Sequence, residues 1–202
     1  MSPIPTYCIT LPEQPERKQR AIVHFREVGL EPRFVDGIHA ERFGLKTVFP
    51  YELDNPGSNY NMGFGRVGCW LSHYTLWAAL NLMWDDIFLV VEDDAKFPPD
   101  WHPRTMNALR DAPADFDMLF IGSCCCEGKP KTSVTGEVFA VEWPLCTHAY
   151  IVARKALPVI LATQRKCYAP IDISLALHTM PKLKVYTVLP RIVEQFDTII
   201  PP

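Results

Sequence analysis

The sequence has no Cys-x-x-Cys pair, no block of basic residues, no internal repeat and no low-complexity tract. The first absence removes the usual zinc-ribbon and thioredoxin-like readings. The second, with a net charge of −3, argues against nucleic acid as the main partner. The third removes solenoids and propellers. Long uninterrupted apolar runs are also missing. The most apolar stretch, Val67 to Trp84, contains Ser72, His73 and Asn81 and is followed by Asp85-Asp86, so it reads as a buried helix, not a membrane span. The start, Met1-Ser2-Pro3-Ile4-Pro5, lacks the charged and apolar segments of a signal peptide. Seven cysteines, including Cys124-Cys125-Cys126, form an odd set without framework spacing. They are expected to be reduced thiols, and the chain cytoplasmic.

What is present fits a folded α/β protein. At 202 residues, 48% hydrophobic and 21% charged, one domain over 1–202 is expected. A chain of this size buries roughly 70% of its unfolded surface, so its core needs no staples. Nineteen prolines imply many turns. Strands are read at 6–11, 33–35, 87–91, 117–121, 138–143, 147–152 and 183–189. Helices are read at 12–29, 65–82, 100–110 and 154–163, with a further one opening at Pro170-Ile171-Asp172. The alternation predicts a mostly parallel central sheet flanked by helices. Residues 38–65 and 123–137 are excursions, with 127–137 read as a mobile lid. Trp70, Trp77 and Trp84 recur every seven residues, which places them on one helix face as core packing.

The densest chemistry is Glu92-Asp93-Asp94, directly after the buried run Ile87-Phe88-Leu89-Val90-Val91. Carboxylates at the end of a central strand are costly unless compensated. That edge of an α/β sheet is also where ligands bind. A hard divalent cation, Mg²⁺ or Mn²⁺, shared with a phosphate is the natural compensator. The bland alternative is a solvated acidic turn. Strand alternation puts Glu92 and Asp94 on one face and turns Asp93 away.

Four segments, in order, resemble glycosyltransferase family 25, which contains bacterial lipooligosaccharide and collagen galactosyltransferases. They are Tyr7-Cys8-Ile9-Thr10-Leu11 with Pro15-Glu16-Arg17 and Arg20; Gly65-Arg66-Val67-Gly68-Cys69-Trp70-Leu71-Ser72-His73; Val90-Val91-Glu92-Asp93-Asp94; and Thr147-His148-Ala149-Tyr150-Ile151-Val152, followed by Pro170-Ile171-Asp172 and Tyr186 to Gln195. Thr10, Pro12-Glu13, Arg66 and Cys146 depart from the family's usual residues.

The resemblance implies a GT-A-like fold and inverting transfer of a hexose, expected to be galactose, from a UDP-sugar. The acceptor would be a hydroxyl of a glycan, a lipid-linked glycan or a protein side chain. A lipid-linked acceptor would bring the chain to a membrane surface. On this reading Glu92, Asp93 and Asp94 hold Mn²⁺ or Mg²⁺, with Asp94 the direct ligand, and Asp172 takes the acceptor's proton. Thr10, Arg17, Asp36, Gly68, Ser72, His73, His148, Tyr150 and Gln195 surround the donor. Each has a bland alternative. Arg17 and Arg20 also fit a solvated helix surface, Asp36 a turn-forming Asp-Gly pair, and Asp172 a helix cap. His73, His148 and Tyr150 also fit as satisfied core residues. Two rival readings remain: a catalytically inactive nucleotide-sugar-binding module, and a metal-dependent phosphohydrolase using the three acids.

Overall fold

The computed structural model describes residues 4–43, 63–124, 131–167 and 169–196. The 44–62 part of the first excursion and residues 125–130 of the second lie outside them. The chain opens with β1 (Thr6–Thr10), α1 (Pro15–Glu27) and β2 (Arg33–Asp36), followed by a 3₁₀ turn, Ala40–Phe43. It continues through α2 (Phe64–Leu80), β3 (Ile87–Glu92), β4 (Ala95–Lys96), α3 (Trp101–Asp111) and β5 (Met118–Cys124). The hairpin β6 (Lys131–Thr135) and β7 (Val138–Val141) leads to β8 (Leu145–Ala153) and α4 (Leu157–Thr163). Last come α5 (Ile171–Ser174), a π-helical turn at Leu175–Thr179, β9 (Val185–Val188) and β10 (Glu194–Gln195).

Eight strands form one sheet in the order β2-β1-β3-β8-β5-β9-β7-β6, and β10 pairs with β4 beside it. The pairs β1–β2, β1–β3 and β5–β9 are parallel, as crossover helices require. Strand β8 runs antiparallel between β3 and β5. Its beginning therefore lies at the edge where β3 ends, and that geometry makes the site.

Alternation along the buried strands separates two cores. Phe88, Val90, Phe120 and Tyr150 face α2, α4 and α5, against Trp70, Trp77 and Leu157. Leu89, Val91, Leu119 and Ile121 face α1 and α3, against Phe25 and Trp101. Helix α2 is buried through Val67, Trp70, Leu76 and Trp77, which accounts for its apolar composition. Among the described residues no helix is long and apolar enough to cross a membrane.

Several expectations are corrected. Trp84 is not core: α2 ends at Leu80, and Trp84 is 92% exposed on the turn before β3. The heptad spacing outlasted the helix that gave it meaning. Helix α4 starts three residues late, after a 3₁₀ turn at Arg154–Ala156, and this places Pro158 in its first turn, where no N–H is needed. The part of the supposed lid at 131–135 is strand β6, paired with β7. The thiols are not all reduced. Cys124 and Cys146 are disulfide-bonded, with Cα atoms 5.8 Å apart. A register shift in the β5–β8 pairing sets Cys124 opposite Leu145 and brings the two cysteines together. The cysteine count therefore no longer argues for a reducing compartment.

Candidate active site

The three acids do not continue the strand's alternation, because β3 stops at Glu92 and the chain turns. Each carboxylate takes a different set of partners. Glu92 Oε1 accepts from Thr147 Oγ1 at 2.7 Å and from His73 Nε2 at 3.0 Å. Asp93, expected to point away, faces inward: Thr10 Oγ1 donates to its Oδ2 at 3.0 Å and Arg17 donates to its Oδ1. Asp94 Oδ2 lies 3.5 Å from Arg17 Nη2 and 3.5 Å from Gln195 Nε2. Gln195 reaches it because β10 returns beside β4, with Phe196 N–H donating to the Asp94 carbonyl at 2.8 Å.

The hydrogen bonds around Glu92 fix the protonation of His73. Trp77 Nε1–H donates to the Tyr150 hydroxyl at 2.8 Å, and that hydroxyl lies 2.9 Å from His73 Nδ1. Its proton is best used on Nδ1, which leaves Nε2–H to donate to Glu92. Tyr150 and His73 are fully buried, and both are held in this chain of bonds. Burial opposes ionisation of Glu92, yet the bonds from His73 and Thr147 outweigh it and hold the carboxyl down to about 2. Cys69, His73 and Glu92 also bring donor atoms within 4.8 Å of one another. Both His73 nitrogens are already engaged, so that cluster reads as a hydrogen-bond network.

Asp94 is the opposite case. Burial pushes its carboxyl up to about 6; the Glu92 charge adds to this and Arg17 opposes it. Its Oδ1 is buried with no hydrogen-bond partner. His148 is similar. Its Nε2 lies 3.1 Å from the Val193 carbonyl, which can only accept, so Nε2 carries the proton and Nδ1 presents a lone pair. That Nδ1 is buried and unpartnered too, and burial lowers the imidazole's pKa, keeping the ring neutral.

Beside the acids lies a cavity of about 370 Å³. It is lined from the end of β1 (Thr10), the start of α1 (Gln14, Arg17), the loop after β2 (Ile38, His39), the start of α2 (Gly68, Ser72, His73) and the acids Glu92 and Asp93. Ser72 closes the loop onto the helix: it accepts from Ile38 N–H at 2.8 Å and donates to the Gly68 carbonyl at 2.6 Å. The open amino end of α2 faces this cavity, a setting that favours anions.

Thr10, Arg17, Gly68, Ser72, His73, Glu92 and Asp93 thus gather around one cavity, with Gln195 against Asp94 at the same acidic turn, while His148 bonds to the Val193 carbonyl. Asp36 is apart: it is exposed, 3.9 Å from Lys18 Nζ, and outside the lining. Arg20 lies 4.9 Å from the Phe196 ring. Asp172 is also outside the lining. Its oxygens accept from Ile173 N–H at 2.8 Å and Cys146 N–H at 3.1 Å, and so anchor the start of β8, where Cys146 has a φ of 68°. Thr147, Gln14 and His39 escaped the sequence reading of the site. Thr147 was visible within its motif; the other two carry no motif at all.

A family model described as glycosyltransferase family 25 (LPS biosynthesis protein) matches residues 3–124, more than half of the chain. A glycosyltransferase 25 family member of Aedes aegypti is 32% identical over 124 residues, covering 57% of this chain and 20% of its own. One from Drosophila melanogaster is 28% identical over 180 residues, covering 82% and 29%. A human relative named inactive glycosyltransferase 25 family member 3 is 24% identical over 169 residues, covering 78% and 28%. The chain thus spans less than a third of the length of these relatives. A solved glycosyltransferase involved in glycosylating the major capsid of PBCV-1 superposes with a TM-score of 0.54 at 11% identity, covering 93% of this chain and 82% of that one. That likeness bears out the GT-A-like α/β fold. With the matched region containing the whole cavity lining and the acidic turn, the chain belongs to glycosyltransferase family 25.

Proposed function

We propose that the chain is a metal-dependent, inverting hexosyltransferase that moves galactose from UDP-galactose to a hydroxyl of a glycan, lipid-linked glycan or protein. The observation that carries this reading is the pairing of the acidic turn with the cavity at the amino end of α2. One accommodates a cation and the other a phosphorylated nucleoside. The residues fit a divalent ion. Asp94 Oδ1 is a buried carboxylate oxygen with no partner, whereas both oxygens of Asp93 already accept hydrogen bonds. The carboxylate oxygens of the turn suit Mn²⁺ or Mg²⁺. Such an ion would neutralise charge building on the departing diphosphate. Arg17, bridging Asp93 and Asp94, supplies fixed positive charge at the same place. Glu92, held ionised and immobile, orients the turn. Asp172 stays the proposed base for the acceptor hydroxyl.

The test is calorimetric titration of UDP with and without Mn²⁺. Binding that needs Mn²⁺ is the expected result; no binding by a folded sample under either condition overturns the reading. The inactive relatives in human and cattle favour a second reading, a nucleotide-sugar-binding module without transfer. It predicts the same titration but no turnover of UDP-galactose with any acceptor.

The metal reading also predicts a pH dependence. Asp94 sits at about 6 when folded, against 3.8 ordinarily. A raised carboxyl contributes stability that is fully present below the unfolded value and is lost as pH rises through the folded one. Metal-free protein therefore carries an uncompensated Asp94 charge above about pH 6. Mn²⁺ compensates that charge, so its thermal stabilisation should be larger at pH 7.5 than at pH 5. Equal shifts at both values would place the ion elsewhere.

A further inference from the structure

Three polar atoms on the cavity lining are buried without any partner in the protein: Gln14 Oε1, His39 Nδ1 and Arg17 Nε. Buried polar groups are nearly always paired, so three orphans around one cavity mark positions a ligand satisfies. Arg17 is accounted for by its neighbours, since the same guanidinium holds Asp93 and Asp94. Gln14 and His39 are not. No hydrogen bond joins either side chain to the acids. Gln14 stands just before α1, where its backbone carbonyl accepts from Arg17 N–H and Lys18 N–H while its side chain makes no cap. His39 follows β2, and its carbonyl accepts from Arg42 N–H. Ile9, Leu11, Ile38 and Phe64 give the same cavity apolar walls. Apolar walls with a few unsatisfied polar atoms are what a heterocyclic base requires: flat faces in apolar contact and an edge that hydrogen-bonds.

We infer that Gln14 and His39 read the polar edge of the donor's base, and that this base is uracil. The inference rests on the UDP-sugar reading of the site. Uracil offers one N–H between two carbonyls. Gln14 Oε1 accepts that N–H, and His39, protonated on Nδ1, donates to a flanking carbonyl. With His39 at the C4 position, cytosine in the same pose would turn a lone pair toward Gln14 Oε1 and an amino group toward the His39 N–H, unless the Gln14 amide turned over and His39 changed tautomer. Leaving such groups unpaired costs about a factor of ten or more in affinity.

The experiment titrates UDP, CDP and inorganic pyrophosphate, each with Mn²⁺, into wild type, Gln14→Leu and His39→Phe, with thermal melts confirming that each variant is folded. Wild type should prefer UDP over CDP by about tenfold. Either variant should weaken UDP by about tenfold and shrink that preference, while pyrophosphate binds as in wild type. Unchanged UDP affinity in both variants would overturn the inference and leave the UDP-sugar reading standing. Pyrophosphate weakened as much as UDP would also overturn it, since the residues would then act on phosphate or on the fold. Failure of wild type to bind UDP would instead sink the UDP-sugar reading, and this inference with it.

Discussion

Under the proposed function, Asp94→Asn should lower transferase turnover on the order of a thousandfold while making the metal-free protein more stable. The loss follows from removing the buried carboxylate oxygen that is free to ligate. Several kcal/mol of charge stabilisation at roughly 1.4 kcal/mol per factor of ten gives that magnitude. The gain follows from the same burial. Asp94 carries its charge beside Glu92 and Asp93, with Arg17 and the Gln195 amide opposing. A neutral isostere keeps an oxygen for the Gln195 amide and drops the charge. At pH 7.5 and without metal, about 1–2 kcal/mol should be recovered, a rise in Tm of roughly 2–8 °C for a chain of this length. Mn²⁺ should then no longer raise Tm. A variant that loses activity and stability together would mean that Asp94 is a structural carboxylate. Opposite signs are the signature of a functional site held at a cost to the fold.

Gly68→Ala should be the most damaging small change in the cavity wall. A Cβ at Gly68 would clash with the Ile38 carbonyl oxygen, which is backbone and cannot swing aside. Either α2 or the loop after β2 must move, and the Ser72 bonds to Ile38 and Gly68 tie the two together. The expected cost is about 3 kcal/mol, or roughly 6–12 °C in Tm, with loss of UDP binding. Gly65→Ala is the control one turn earlier on the same helix. Its Cβ would meet nothing within 4 Å, so alanine there should be neutral or stabilise by about 0.5–1 kcal/mol. A Gly68→Ala variant as stable as wild type would show that the loop yields.

The sequence carried the parts of the site that depend on local pattern. The acids follow an apolar run that β3 confirms, and Gly68, Ser72 and His73 sit in the first turns of α2 because 3.6-residue spacing puts them there. Gly29 ends the first helical segment as expected, at a φ of 70°. What was illegible depends on chain direction and long-range pairing. Nothing in Thr147 to Val152 says that β8 runs antiparallel to its neighbours, yet that direction brings Thr147 to Glu92. The facing of Asp93 was misread because alternation was carried past the last strand residue. The Cys124–Cys146 bond joins positions 22 apart through a register shift that no spacing rule encodes. Gln14 and His39 were missed because a buried orphan atom exists only once the cavity does.

The place of β8 also sets an order of events during synthesis. β3 and β5 do not pair with each other; each pairs with β8, which emerges later than both. Every residue lining the cavity, from Ile9 to Asp93, is made before the Thr147 that clasps Glu92, 55 positions along the chain. At about 5–20 residues per second that delay is roughly 3–11 s. By the end of that interval, once β5 is made at Cys124, the nascent chain holds its acidic turn and two apolar strand edges without the strand that joins them. That is a window in which a chaperone would find the chain exposed and the folded domain would not yet exist.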